Sequence, residues 1–236
     1  MISKELIESI IAEGYEYIPK LDIVQRNIAL EEAGNYVFVG VRQAGKSYTL
    51  YRQMQTLLQN GVPIENLVYV NFDDERLIGF SAADFDTILQ AHYQLNEQKP
   101  VLFLDEIQNI PSWEKFARRM ANEKYRVYIT GSNAKMLSSE FATVLGGRYQ
   151  TINVYPYSFA EFLAANKLSL EKNWQYNDEA VNGVRRFLDN YFYNGGFPES
   201  LVATQKREWL STLFQKMLLG DIVARYKVKN VNAMSF

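Results

Sequence analysis

The sequence predicts an α/β fold built on a five-stranded parallel sheet, followed by a small all-helical region. Three observations carry that prediction. Short apolar runs alternate with helix-patterned stretches between about residue 36 and residue 166. One strand-to-helix junction reads Gly40-Val41-Arg42-Gln43-Ala44-Gly45-Lys46-Ser47 and fits G-x-x-x-x-G-K-[ST]. A later run, Val101-Leu102-Phe103-Leu104, ends in Asp105-Glu106. Its unbroken apolar character suits a central parallel strand covered on both faces.

Taken in order, Leu6, Ile7, Ile10 and Ile11 recur at helical spacing, so the first dozen residues form an amphipathic helix. Gly14 to Pro19 breaks it. A second helix is expected from Asp22, with Gln25 as its capping-box partner, to Gly34. Tyr36-Val37-Phe38-Val39 is the first strand, and the stretch after the glycine-containing loop is a helix ending near Asn60-Gly61. Leu67 to Asn71 is the second strand, followed by the acidic turn Phe72-Asp73-Asp74-Glu75-Arg76. Ser81, with Asp84 three residues on, opens a helix that runs to about Asn96.

Beyond the third strand, Ser112 caps a helix that starts at Trp113, a packing anchor, and ends near Asn122. Arg118 and Arg119 lie on its solvated face. Arg126 to Thr130 is the fourth strand and runs into Gly131-Ser132-Asn133-Ala134. Thr151 to Val154 is the fifth. Ser158-Phe159-Ala160-Glu161 is a capping box for a helix ending near Asn166. After about residue 170 only helical spacing remains. It is broken at Gly195-Gly196-Phe197-Pro198 and again at Gly220. The expected division is therefore residues 1–171 as an α/β domain and 172–236 as a helical lid or linker region.

Composition excludes several chemistries. No cysteine means no thiol catalysis, no disulfide and no cysteine-ligated zinc. The single histidine, His92, rules out a multi-histidine metal site and is expected to be a solvated helix residue. A formal net charge of −2 leaves no overall basic footprint for nucleic acid. No apolar run approaches the ~18 residues of a membrane span. A cytoplasmic location is expected, since cysteine-free chains suit a reducing compartment.

The loop's chemistry is specific. Glycines at 40 and 45 let backbone N–H groups approach an anion at a helix N-terminus. Lys46 brings a positive charge to phosphate oxygens, and Ser47 brings a hydroxyl to Mg²⁺. The expected nucleotide contacts are therefore Gly40, Val41, Arg42, Gln43, Ala44, Gly45, Lys46, Ser47 and the following Tyr48. Asp105 is expected to hold Mg²⁺ with Ser47, directly or through water, and Glu106 to accept a proton from an attacking water. Ser132 or Asn133, at the end of the fourth strand, is placed to sense the γ-phosphate or that water. The acidic turn at Asp73-Asp74 is read mainly as loop.

A loop after the first strand, carboxylates after the third and a polar residue after the fourth resemble the AAA-type branch of P-loop NTPases. That resemblance implies strand order 5-1-4-3-2. More narrowly, the chain resembles bacterial and archaeal AAA-type ATPases that carry a C-terminal domain of unknown function. Leu104-Asp105-Glu106-Ile107-Gln108, Ile129-Thr130-Gly131-Ser132, Gly147-Arg148, the run from Tyr155 to Phe162 and Gly195-Gly196-Phe197-Pro198 carry the likeness beside the loop. It implies Walker A and Walker B motifs, ATP and Mg²⁺ as cofactors, and hydrolysis that drives a conformational switch. It implies a γ-phosphate role for Arg148, in cis or across a homo-oligomer interface, with an ion pair at the sheet edge as the plain alternative. The C-terminal domain is expected to be absent here, and with it the surface for a nucleic-acid or protein partner. Arg225, Lys227 and Lys229 are read as solvated. A nucleotide-gated binding module with negligible turnover stays open. A GTPase fits less well, because Asn166-Lys167-Leu168-Ser169 has serine where a guanine reader needs aspartate. A small-molecule kinase lacks support from the adjacent carboxylates.

Overall fold

In the computed structural model, residues 2–132 and 145–223 are described. The strands are β1 Tyr36–Gly40, β2 Leu67–Asn71, β3 Val101–Asp105, β4 Arg126–Ser132 and β5 Gln150–Asn153. All pairings are parallel, and the order β2-β3-β4-β1-β5 is the expected one read from the other edge. The chain falls into two compact units. The first runs to Ile23 and adds Asn27–Gly40 and Lys46–Asn153. The second holds Val24–Arg26, Val41–Gly45 and the described residues from Val154 onward.

Among the described residues, the first unit contains the sheet and four helices: α1 Lys4–Tyr17, α2 Lys46–Gln59, α3 Phe85–Leu95 and α4 Trp113–Asn122. Side chains alternate across a strand, so the two faces can be separated by parity. Val37, Val39, Val68, Val70, Leu102 and Leu104 belong to one face and join the main apolar core with Ile7, Ile10 and Ile11 of α1. Tyr36, Phe38, Phe103 and Tyr128 belong to the other and form a stacked aromatic row, with Phe103 and Tyr128 centroids 4.9 Å apart. Helix α2 meets this aromatic face, where Gln53 Nε2 donates to the Tyr128 hydroxyl at 3.1 Å.

Local signals set most element ends. The Ser3 hydroxyl accepts from the Leu6 N–H to cap α1. Ser81 and Asp84 form a reciprocal capping box ahead of α3. Trp113 is buried, as an anchor should be. Ser112 does precede α4, but with φ +63 and no side-chain cap.

Two further expectations fail in this unit. No helix forms between Asp22 and Gly34. The Gln55 side-chain amide donates to the carbonyls of Ile18 and Leu21 at 3.0 and 2.9 Å, so long-range bonds fix the chain just ahead of this segment. Weak helical propensity yields to such tertiary partners. His92 is not solvated. It is 4% exposed, because Phe85, Ile88 and His92 share one buried stripe of α3. Its ring Nε2 lies 2.7 Å from the Gln98 carbonyl.

The second unit is helical: α5 Phe159–Ala165, α6 Asp178–Asn194 and α7 Lys206–Lys216. The Ser158–Glu161 capping box closes α5 in both directions. Asn177 caps α6 through the N–H groups of Glu179 and Ala180. Gly195, at φ +70, ends α6 as its position predicts. Gly196 allows a close backbone approach: its N-terminal neighbour across the fold, Tyr157, donates its N–H to the Gly196 carbonyl at 2.7 Å. A Cβ at residue 196 would sit 2.2 Å from the Tyr157 carbonyl oxygen. Gly220 does not stop the last helix. The chain continues from α7 through Met217–Val223 as a π-helix, whose wider turn carries the glycine.

Candidate functional site

The sheet brings the C-terminal ends of β1, β4 and β3 to one edge. Gly40 pairs with Ser132, and Leu104 pairs with Ile129 one strand further on. With strands about 4.8 Å apart, β1 and β3 are separated by roughly 10 Å. Lys46, the first residue of α2, is buried, and its Nζ donates to the Gly40 carbonyl at 3.3 Å. Ser47 is half-buried in the first turn of α2 and Tyr48 is exposed.

Asp105 ends β3 and is 1% exposed. Tyr69, Asp105 and Thr130 share the parity of the aromatic row, so all three point to the face that α2 meets. Both carboxylate oxygens of Asp105 are engaged from neighbouring strands. The Tyr69 hydroxyl donates to Oδ2 at 2.9 Å, and the Thr130 hydroxyl donates to Oδ1. Tyr69 stays a protonated phenol: burial first, then the charge of Asp105, pushes its pKa well above the usual phenol value. The sequence reading missed both hydroxyls. Their signal was available as polar-tipped residues at matching parity on the strands flanking Asp105.

Glu106 follows in left-handed backbone geometry, φ +50 and ψ +38. Such a conformation in a non-glycine residue is uncommon and is held here by its surroundings. Its N–H donates to the Thr130 hydroxyl at 2.9 Å, and its carboxylate accepts from the Gln108 side-chain amide. Thr130 therefore ties both acidic residues to β4.

Val41–Gly45, the residues joining β1 to α2, belong to the second unit. Positive φ falls on Gln43, +59, and Gly45, +92. Gly40 instead keeps its place in the strand. Within the second unit this loop meets Arg26, another residue the sequence reading passed over. The Arg26 Nη1 donates to the Ala44 carbonyl at 3.3 Å and Nη2 donates to the Tyr155 carbonyl. Its Nε lies 3.1 Å from Glu161 Oε1, and the guanidinium covers the Tyr157 ring at 4.9 Å. The arginine side chain is 9% exposed. One half-buried cation thus joins three chain segments of this unit, and Glu161 serves Arg26 through one oxygen and the α5 cap through the other.

The remaining predicted residues are distributed as follows. Ser132 is the last residue of β4, opposite Gly40. Asn133 and the Arg225, Lys227 and Lys229 tail lie outside the described residues. Arg148 is exposed, between β4 and β5 in the chain. Its Nε donates to Asn122 Oδ1 at 2.6 Å, so its partner here is an amide. Gly146 and Gly147 precede it at φ +59 and +69, which supplies the turn expected there. In the acidic turn, Asp74 pairs with Arg76 at 2.7 Å, and Arg76 also pairs with Glu13 at 2.7 Å. The Arg76 guanidinium holds both carboxyls below their usual range.

Magnesium suits the donors present. Ser47 and Asp105 offer oxygen only, the ligand type a hard cation takes. Among the described residues no group of three or more acidic or histidine side chains forms a protein-only metal cage. Mg²⁺ is usually bound by one or two such ligands plus phosphates and water.

The profile of a family described as "AAA domain" matches residues 33–163. An uncharacterized protein of Methanocaldococcus jannaschii is 31% identical over 98% of this chain and 52% of its own length. An uncharacterized protein of Haemophilus influenzae is 35% identical over 84% of this chain and 48% of its own. The chain thus spans about half the length of the curated relatives it matches. Among solved structures, the Saccharomyces cerevisiae Hsp104–ADP complex aligns with 99% of this chain and 38% of its own at 16% identity and a TM-score of 0.47.

Proposed function

The chain belongs to the AAA domain family, with a nucleotide-binding, ATPase-like fold, and from that premise we propose that it binds ATP with Mg²⁺ and hydrolyses it to drive a conformational switch. The observation that carries the reading is the placement of Lys46, Asp105 and Glu106. The lysine opens the helix after β1, while the carboxylates close β3, two strands away at the same sheet edge.

Lys46 offsets charge on the β- and γ-phosphates, and the loop from Gly40 to Tyr48 binds them through backbone N–H groups. Ser47 and Asp105 would hold Mg²⁺, directly or through water, and the ion would supply charge neutralisation to the phosphates. Glu106 orients the attacking water and takes its proton. Ser132 contacts the γ-phosphate or that water, and Arg148 offsets transition-state charge, in a homo-oligomer across the interface. A nucleic-acid or protein partner would receive the conformational signal.

The test is equilibrium nucleotide binding beside hydrolysis. Lys46→Ala should weaken ATP binding by ~2–4 kcal/mol, since it removes a charge-assisted contact in a partly desolvated site. Equal binding by variant and wild type would refute the loop assignment. A second reading, a nucleotide-gated module with negligible turnover, draws on the bond between Gln108 and Glu106, which occupies the proposed base. Single-turnover hydrolysis separates the two readings: measurable product at stoichiometric ATP favours the enzyme.

A further inference from the structure

Asp105 sits at the end of a line of phenols. The Tyr17 hydroxyl lies 3.4 Å from that of Tyr51, which lies 2.9 Å from that of Tyr69, which donates to Asp105 at 2.9 Å. The direction of the line is determined by its end. A carboxylate only accepts, so the one proton of Tyr69 goes to Asp105. Tyr51 must then donate to Tyr69, and Tyr17 to Tyr51. The rings pack edge to face as well, with Tyr51–Tyr69 and Tyr17–Tyr51 centroids 5.2 and 5.9 Å apart. The line thus starts at the last residue of α1, passes through α2 five residues after Lys46, and reaches Asp105 from β2.

We propose that Tyr69 is the positioning residue for Asp105, and that the line Tyr17–Tyr51–Tyr69 sets how strongly the protein couples Mg²⁺ to bound nucleotide. One hydrogen bond fixes where a carboxylate oxygen sits, but two, to different oxygens from strands on either side, fix its plane. Tyr69 on β2 and Thr130 on β4 do this for Asp105. Each oxygen keeps a further lone pair for a metal-bound water or the metal. Without the Tyr69 hydroxyl, Oδ2 loses its anchor and the carboxylate turns about its Cβ–Cγ bond. Partners that orient a metal's ligands commonly contribute 10–100-fold to metal affinity. Hydrogen bonds in a chain polarise one another, so Tyr51 and Tyr17 contribute in diminishing steps.

The inference rests on the nucleotide reading above, and the experiment separates the two. The affinity of a non-hydrolysable ATP analogue is measured with Mg²⁺ and with chelator for the wild type and for Tyr69→Phe, Tyr51→Phe and Tyr17→Phe. In Tyr69→Phe the Mg²⁺-dependent gain in affinity should shrink about tenfold. Binding in chelator should stay unchanged, while the apo melting midpoint should fall, because Asp105 Oδ2 and the Tyr51 hydroxyl each lose a buried partner. Tyr51→Phe should lose a smaller part of the gain, and Tyr17→Phe less still. An unaltered Mg²⁺ gain in Tyr69→Phe overturns the proposal and leaves the nucleotide reading intact. Equal weakening with and without Mg²⁺ also overturns it, because that is what loss of packing produces. If Tyr69→Phe does not fold, Tyr51→Phe decides the matter: an unchanged Mg²⁺ gain there refutes the line. A wild type that binds no analogue at all refutes the nucleotide reading itself.

Discussion

At the scale of single residues, the acidic pair of β3 is divided by environment. Asp105 is buried and held by two hydroxyls, which suits a fixed ligand position. Glu106 is half-buried on a strained backbone, and its carboxylate accepts from one side-chain amide, that of Gln108. The two should separate on substitution. Glu106→Gln is expected to keep nucleotide binding and slow hydrolysis ~10²-fold or more, the usual scale for a lost base. Asp105→Asn should instead weaken Mg²⁺-dependent binding. A wild-type rate in Glu106→Gln, read by phosphate release, would send the search for the base elsewhere. Arg26 makes a different demand. Its fork reaches two carbonyls and a carboxylate at once, a geometry that lysine lacks. Arg26→Ala removes these charge-assisted contacts together and should cost about 2 kcal/mol of stability. Arg26→Lys should recover only part of that loss, measured by denaturant unfolding.

At the scale of elements, short polar signals determine where helices begin. The entry to α3 shows how one carboxylate can serve several donors. Asp84 Oδ2 accepts from the Ser81 hydroxyl and N–H at 2.7 and 2.9 Å, while Oδ1 accepts from the Ile2 N–H at 3.2 Å. The Ser81 hydroxyl, followed by these backbone N–H groups, holds the Asp84 carboxyl below its usual range, with burial working in the opposite direction. A carboxyl with a depressed folded pKa stabilises the fold above its unfolded value, about 3.9. That contribution is lost as pH falls through the lower folded value. Asp84→Ala should therefore cost about 1 kcal/mol at neutral pH. The difference from wild type should shrink as unfolding is followed from pH 5 downward. A difference that stays constant with pH would mean that packing, not charge, sets the cost.

At the scale of the whole molecule, the proposed machinery extends to Arg148, whose exposed side chain binds Asn122 in this structure. An arginine finger supplied by a neighbour can contribute ~10³–10⁵ in rate. If Arg148 acts across an interface, Glu106→Gln and Arg148→Ala proteins, each inactive alone, should regain partial ATPase activity when mixed. Some interfaces would then pair an intact base with an intact arginine. Loss without rescue in a chain that stays monomeric by light scattering would place the residue in cis. An unchanged rate in Arg148→Ala at every protein concentration would remove it from catalysis. Among the described residues no helix is long and apolar enough to cross a membrane.

The sequence by itself determined the parts written in local code. Gly40 to Ser47 declared a strand–loop–helix junction because glycine, lysine and serine at that spacing have few other uses. The apolar run ending in Asp105-Glu106 declared a covered parallel strand. Ser81 with Asp84, and Ser158 with Glu161, declared helix starts, since a capping box acts over three residues. Tertiary structure decided what depends on distant partners. The stretch after Asp22 looked helical, yet Gln55, more than thirty residues away, takes the carbonyls at its approach. His92 looked solvated because its neighbours in sequence are polar, while its neighbours on the helix face are buried. Gly220 looked like a stop, but a π-helix runs through it. The grip of Tyr69 and Thr130 on Asp105 exists only once β2 and β4 flank β3 in register. Arg26 acquires its role only where Ala44, Tyr155 and Glu161 converge. Local preferences amount to fractions of a kcal/mol per residue. A buried charge left without its partner costs several, so where the two conflict the long-range partner prevails.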